Sequence, residues 1–460
     1  MNRRTFLRLG ASAPVLAQGQ ARPNVIFILA DDMGWGDLSC YGNPGMKTPN
    51  LDRLAAEGTL FTQFYVNGSV CSPTRSAFLT GMFPGRNRIH GHLATEEQNA
   101  RRAMPNFLDP QVPNVATVLK SAGYRTAHFG KWHLGFHSGA PLPGAYGFDA
   151  HKSVASNDAR YEEMAPGFRA KSSAWILDNA LEFIRSGDKT KPFYVQCWML
   201  LPHAPLAPEP GQLEPFKNMQ PGPHVPWPGA KQIYFASLRN LDSEIGRLLK
   251  ELEKDGLAGS TLVVFSSDNG PEDIHIQNAS HAAYGTPGPF RGRKRSLYEG
   301  GVRVPGIFRL PGTVAAGRVD TESIVSAVDF LPTVAKLAGA AVPGGIDGED
   351  VTDILAGKAR ARRAPLHWEW RYNVAGYAVN RSPILSIRDG KWKLLLNPDG
   401  SRTELYDIPA DPGEMNNLAA ANPAVTKRLR EKALAWQKTL PPGPMDPTAG
   451  QNTWKWPQAR

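Results

Sequence analysis

Two stretches far apart in the chain read alike, and together they restrict the fold more than any other part of the sequence. Asn24 to Ala30, NVIFILA, is a continuous apolar run of strand length that stops at Asp31-Asp32 and continues as Met33-Gly34-Trp35-Gly36. Thr261 to Phe265 repeats the pattern, followed by Ser266-Ser267 and then Asp268-Asn269-Gly270. A strand with one wet face alternates apolar and polar residues, whereas an unbroken apolar run suits a parallel sheet covered by helices on both faces. Ligands of open α/β sheets gather outside the carboxyl ends of the strands, so the two acidic tips can meet there. Asp31, Asp32, Asp268 and Asn269 then offer three carboxylates and an amide oxygen, a hard set that suits Ca²⁺ or Mg²⁺ and argues against zinc.

The intervening chain reads as the helices and strands such a sheet needs. TPNLDRLAAEG (48 to 58) is a short helix with Asn50 as its cap and Gly58 as its stop. Val115 to Gly135 runs helix, then strand, then Gly130-Lys131-Trp132-His133-Leu134-Gly135. In an extended segment Lys131 and His133 fall on one face, so an ammonium and an imidazole can reach one anion. Ser173 to Arg185 is an amphipathic helix, and PFYVQCWML (192 to 200) is another buried strand, followed by His203 in Pro202-His203-Ala204-Pro205. Eight prolines between Pro205 and Pro228 predict a stiff surface loop. Helices follow at 233 to 254 and 324 to 339, then short strands near 367 to 371, 382 to 390 and 391 to 397, and a last helix from about Pro423 to Leu440.

Length and charge add limits. At 460 residues the chain exceeds the usual single domain, and two are expected, at 22 to 360 and 361 to 460, the second a small antiparallel sheet with one helix. Residues 1 to 21, with Arg3-Arg4, Phe6-Leu7 and a short weakly apolar stretch, read as a twin-arginine export signal, which predicts a periplasmic or secreted protein. The formal charge is +10, and removing the three arginines of that segment leaves +7, an excess that suits a polyanionic ligand and equally serves solubility. No Lys/Arg run or RNA-binding aromatic motif points to nucleic acid, and nothing approaches the length that stable membrane insertion needs. Of the three cysteines, Cys40, Cys71 and Cys197, Cys71 belongs to a motif taken up below and the other two lack any framework spacing, so no structural disulfide is expected.

The remaining motif is Cys71-Ser-Pro-Thr-Arg-Ser-Ala-Phe-Leu-Thr-Gly81. Pro73 is pre-set for a first helical turn and Gly81 can end the helix, so Cys71 stands at a helix N-terminus, where free N–H groups favour an anion and an ionised thiol. The string Cys71, Pro73, Arg75, Leu79, Thr80, Gly81 resembles the signature of the type I sulfatases. GKWHLG (130 to 135), Pro-His-x-Pro around His203, and Lys294-x-x-x-Tyr-Glu-Gly-Gly-x-Arg-Val-Pro305 resemble further motifs of that family. The resemblance implies an alkaline-phosphatase-like α/β fold and sulfate ester hydrolysis by formylglycine, made from Cys71 by a maturation enzyme. It also implies Asp31, Asp32, Asp268 and Asn269, with residue 71, around a metal ion. Asp268 would be the base for attack and Arg75 would steady the hydrate. Lys131 and Lys294 would bind the sulfate, His203 or Lys294 would protonate the leaving alcohol, and His133 would take the second hydroxyl proton.

Ser156 is a candidate for one more sulfate contact, and Arg291, Arg293 and Arg295, flanking Lys294, suit a sulfated glycan, because guanidinium forks bind sulfates and carboxylates in pairs. Two other readings use the same residues: a formylglycine-dependent phosphodiester or phosphonate hydrolase, and a secreted glycan-binding protein without turnover. The export reading predicts that Arg3→Lys with Arg4→Lys leaves active, uncleaved protein in the cytoplasm of a bacterial host with a twin-arginine pathway. Cell fractionation checks this, and equal periplasmic yield of both forms contradicts it.

Overall fold

The computed structural model describes residues 22–135, 139–154, 167–220, 229–273 and 281–452. The strands are β1 (Asn24–Ala30), β2 (Thr59–Tyr65), β3 (Arg125–Lys131), β4 (Ala150–Val154), β5 (Phe193–Trp198), β6 (Thr261–Ser267), β7 (Arg303–Arg309), β8 (Arg318–Asp320) and β9 (Val325–Ser326) in a large sheet. Its order is β4-β3-β5-β1-β6-β7-β2-β8, with β9 also on β2, and β7 alone runs antiparallel to its neighbours. The fold class expected from the sequence is the one observed.

The apolar runs behave as their composition requires. Along β1, Val25, Phe27 and Leu29 enter the core on one face, while Ile26, Ile28 and Ala30 enter the core on the other. The helices Cys71–Thr80, Val115–Ser121 and Phe330–Leu337 cover the first face, and Pro49–Ala56, Phe168–Ser186 and Ala230–Lys254 cover the second. A second, antiparallel sheet follows, in the order β10 (Leu366–Glu369), β11 (Leu385–Asp389), β12 (Trp392–Leu396) and β13 (Thr403–Asp407). Its period of two splits it as well: Leu394 and Leu396 pack beneath the helix Pro423–Gln437, and Leu395 joins the main core. Among the described residues no helix is long and apolar enough to cross a membrane.

Local expectations shift at three places. Asn50 does not cap its helix: Thr48 is the N-cap, Pro49 opens the helix, and Asn50 Nδ2 donates to Asp242 Oδ2 at 2.8 Å, tying this helix to Ala230–Lys254. Residues 324 to 339 are not one helix, because Val325 and Ser326 pair with Phe64 and Tyr65 of β2. Asp329 Oδ2 then accepts the Ser326 N–H at 2.8 Å, and the α-helix begins only at Phe330. The proline-rich segment contains a short helix, Pro210–Leu213, and a 3₁₀ turn, Glu214–Phe216, while residues 221–228 lie outside the described residues.

The two sheets are joined by a buried charge cluster. Lys393 Nζ of β12 lies 2.8 Å from Glu299 Oε1 and 3.0 Å from Glu414 Oε1, and all three side chains are buried. Burial pushes Glu299 up, but the Lys393 and Arg303 charges outweigh it and hold the group at about 2. Burial drives Glu414 up to about 7 despite Lys393, with Glu299 adding to the rise. Removing the cation would leave Glu414 without its ion pair and Glu299 with Arg303 alone, so Lys393→Met is expected to cost about 3–5 kcal/mol. Urea unfolding measures this, and adding Glu414→Gln should recover part of the loss.

Candidate active site

Register brings the acids together. β1 and β6 pair in parallel with Ala30 opposite Ser267, so Asp31 and Asp268 leave the sheet at one level. Asp268 N–H donates to Ala30 C=O at 3.1 Å, and Asp31 N–H donates to Leu201 C=O at 3.1 Å, which places His203 just beyond. Lys131 ends β3, whose residue Gly130 (φ +107°) passes so close to β5 that an added Cβ would sit 2.0 Å from the Trp198 carbonyl oxygen. Cys71 follows β2 and opens a helix that is buried along its whole length and stops at Gly81 in the left-handed conformation.

These elements converge on the Cys71 sulfur. Lys131 Nζ lies 3.4 Å from it and 2.6 Å from Asp31 Oδ2, and the sulfur lies 3.6 Å from Asp31 Oδ1. Donor atoms of Asp31, Asp32, Cys71 and His203 all fall within 4.8 Å of one another. Lys294 Nζ lies 2.6 Å from Asp32 Oδ2, and His203 Nε2 lies 3.7 Å from the same oxygen. Asp268 stands slightly apart: Arg75 donates to its Oδ2 from Nε at 3.0 Å and Nη2 at 2.7 Å, and Oδ1 accepts the Asp32 N–H at 3.1 Å. Asp32 holds φ +65°, a conformation that costs a non-glycine residue about 1–3 kcal/mol and recurs at functional sites.

The electrostatics show a centre short of positive charge at one point. Burial opposes ionisation of Asp31, but Lys131, His203 and Arg75 overcome it and hold this carboxyl well below the usual range. Asp32 is driven up to about 7, first by burial and then, against the pull of Lys294, by Asp31, Glu272 and Asp268. Asn269 Nδ2 donates to Asp32 Oδ1 and to Gly270 C=O, both at 2.8 Å, which fixes the amide orientation. Its Oδ1 is then buried without a hydrogen-bond partner among the described residues. An orphaned amide oxygen beside crowded carboxylates fits a hard divalent cation, as the donor set alone suggested.

Other expectations meet the structure unevenly. The Cys71 thiol is not ionised by its helix terminus: burial raises it first, and Asp268 and Asp31 add to this against Lys131 and Lys294. Lys131 and His133 do not share one face of an extended segment, because His133 turns into the left-handed region at φ +54° and its Nε2 lies 3.0 Å from the Leu93 carbonyl oxygen. Ser156 lies outside the described residues. The arginines beside Lys294 are directed into the fold. Arg291 donates to Val379 and Glu414 carbonyls and stacks 3.7 Å from the Tyr298 ring centre. Arg293 donates to the carbonyls of Glu272, Ala283 and Gly285, and Arg295 pairs with Glu272. Irregular backbone needs donors that no sheet ladder supplies, and the guanidinium groups provide them. Glu272 joins the site without belonging to any of the motifs: it is buried, its Oε2 lies 3.3 Å from Lys294 Nζ, and its one signal in the sequence is an acid just beyond Asp268-Asn269-Gly270.

Residues 23–340 match the family described as Sulfatase. The chain belongs to the sulfatase family. Residues 290–439 also match the family described as N-sulphoglucosamine sulphohydrolase, C-terminal. This sulfatase is 32% identical over 461 residues to arylsulfatase A of Homo sapiens, covering 90% of this chain and 87% of that protein. It is 34% identical over 387 residues to N-acetylgalactosamine-6-sulfatase of Canis lupus familiaris, covering 77% and 70%. Among solved structures, Ps i-CgsB superimposes with a TM-score of 0.74 at 25% identity, covering 93% of this chain and 96% of that one. The phosphonate monoester hydrolase of Agrobacterium radiobacter shares the fold with a TM-score of 0.66 at 21% identity, covering 91% and 96%. The sulfatase is thus a sulfuric ester hydrolase by family.

Ca²⁺ at a hundredfold excess over its dissociation constant is expected to add about 2.7 kcal/mol to stability. Thermal unfolding with Ca²⁺ and with a chelator measures the shift, and Asp32→Ala should abolish it.

Proposed function

We propose that this sulfatase hydrolyses the sulfate ester of a sulfated saccharide through a formylglycine that a maturation enzyme makes from Cys71. The observation that carries the reading is the position of Cys71 in the first turn of a buried helix, with Lys131 Nζ 3.4 Å and Asp31 Oδ1 3.6 Å from its sulfur. As a hydrate, that group supplies a hydroxyl to attack sulfur and can then expel sulfate by returning to the aldehyde, a second step that a thiol or serine hydroxyl lacks. Asp31, Asp32, Asp268 and Asn269 would hold Ca²⁺, or Mg²⁺, whose charge helps neutralise the sulfate.

The chain's own groups do the rest. Lys131 and Lys294 hold the sulfate oxygens and oppose the developing charge from a buried site, where such interactions are strong. Arg75 orients Asp268, the base for the attacking hydroxyl, and steadies the hydrate. His203 or Lys294 protonates the departing alcohol, and His133 removes the second hydroxyl proton. A saccharide is supported by the kinship to N-acetylgalactosamine-6-sulfatase and by the positive charge of the mature chain. Twin-arginine export of the segment 1–21 would carry the enzyme to the periplasm or beyond, with a catalytic unit at 22–360 and a small unit at 361–460.

The tryptic peptide ending at Arg75 is expected to be lighter than its cysteine form when the enzyme comes from a host with the maturation system, and Cys71→Ala is expected to be inactive. Full activity with only unmodified cysteine contradicts the mechanism. Rates on an aryl sulfate and an aryl phosphonate, side by side, separate this reading from phosphonate or phosphodiester hydrolysis.

A further inference from the structure

The arginines next to Lys294 are committed to the protein interior, yet a different arginine, Arg102, shares with Lys131 and Lys294 the electrostatic surroundings of one ring, that of His92. The connection from His90 to Arg102 forms part of the site wall. Leu93 N–H donates at 3.0 Å to Oγ of Ser72, the residue after Cys71, and Leu93 C=O is the group facing His133. The connection is braced internally: Asn99 Oδ1 accepts from Ala94 N–H at 2.9 Å and Asn99 Nδ2 donates back to Ala94 C=O at 3.1 Å.

Arg102 follows the short helix Glu96–Arg101 and folds back over this loop. Its Nη1 donates to His92 C=O at 3.3 Å, and its guanidinium carbon lies 5.0 Å from the centre of the Tyr372 ring. Tyr372 is wedged against Gly91, where an added Cβ would come within 2.9 Å of the ring, and its hydroxyl meets Met104 Sδ at 3.3 Å. The guanidinium is therefore held by one nitrogen and one face. It is half-buried, and among the described residues it has no carboxylate partner. The field here is positive: burial first, then the charges of Arg102, Lys294, Arg295 and Lys131, hold the His92 ring neutral, at about 3.

We propose that Arg102, oriented by Tyr372 and the His92 carbonyl, binds a second anionic group of the saccharide, a carboxylate or a further sulfate, while the scissile sulfate lies at Cys71. The inference rests on the sulfatase reading and narrows it to polyanionic saccharides. A planar guanidinium with free N–H groups matches either anion in paired hydrogen bonds, and pre-orientation by stacking lowers the entropy lost on binding. A simple aryl sulfate has no group to place there.

The test is steady-state kinetics on 4-methylumbelliferyl sulfate and on three hexosamine sulfates matched in sugar: one with no second anion, one with an adjoining uronate and one with a second sulfate. Wild type is expected to favour one of the two dianionic substrates by about tenfold or more in kcat/KM, and the favoured one identifies the anion. Arg102→Ala should erase that preference mainly through KM and leave the aryl ester within about twofold. Arg102→Lys, which keeps the charge but loses the fork, should recover only a small part. A preference that survives Arg102→Ala, or an equal loss on the aryl ester and all three saccharides, overturns the assignment. The aryl ester depends on the sulfate centre alone, so failure of the sulfatase reading and failure of the Arg102 assignment appear on different substrates.

Discussion

Four carboxylates, those of Asp31, Asp32, Asp268 and Glu272, lie buried together, and their burial is tolerable because Arg75, Lys131, Lys294 and Arg295 arrive with them. A carboxylate removed from water costs several kcal/mol unless a partner restores the lost solvation, so no member of this set is stable where it stands without the others. That condition couples distant parts of the chain. β1 and β6 bring the acids to one level, β3 delivers Lys131, the buried helix after β2 delivers Cys71 and Arg75, and the loop before β7 delivers Lys294. A one-residue slip between β1 and β6 would send the acidic tips to opposite faces, because side chains alternate along a strand.

The basic run around Lys294 shows how the second sheet takes part in the site without supplying a reacting group. Arg291 is fastened to the Val379 and Glu414 carbonyls, Leu297 N–H to Ser382 Oγ at 2.9 Å, and Tyr298 hydroxyl to Glu404 Oε2 at 2.6 Å. The loop that carries Lys294 is thereby moored on both sides of that residue to the segment beyond 360. Tyr372, from the same region, lies under the Arg102 guanidinium. In this protein the chain beyond 360, loops as well as strand β13, acts as a brace for the loop that carries Lys294.

Fold alone does not select the chemistry. A phosphonate monoester hydrolase has the same architecture as this sulfatase, and both a sulfate and a phosphonate centre call for a cation and surrounding ammonium groups. What separates the reactions is which side chains face the reacting atom and what charge the remaining field must balance, properties carried by individual residues and not by the sheet.

The large sheet was legible in the residues alone, because two strand-length apolar runs ending alike in acids suit a sheet covered on both faces, and Ile26, Phe27, Val263 and Val264 divide between its two cores as that requires. The sequence also determined the helix that begins at Cys71, through Pro73 and Gly81, and the identity of the acids that gather near it, since their strands end alike. It did not determine the ionisation of Cys71, where a helix terminus argues one way and complete burial wins. Nor did it determine the direction of Arg291 and Arg293, the position of Glu272, or the setting of Arg102. Charged side chains are long and choose among whatever partners the folded chain places within reach, a nearby loop for Arg293 and the segment beyond 360 for Arg291, so their final contacts depend on tertiary packing. Backbone pattern, by contrast, is set by near neighbours and the periodicity of burial.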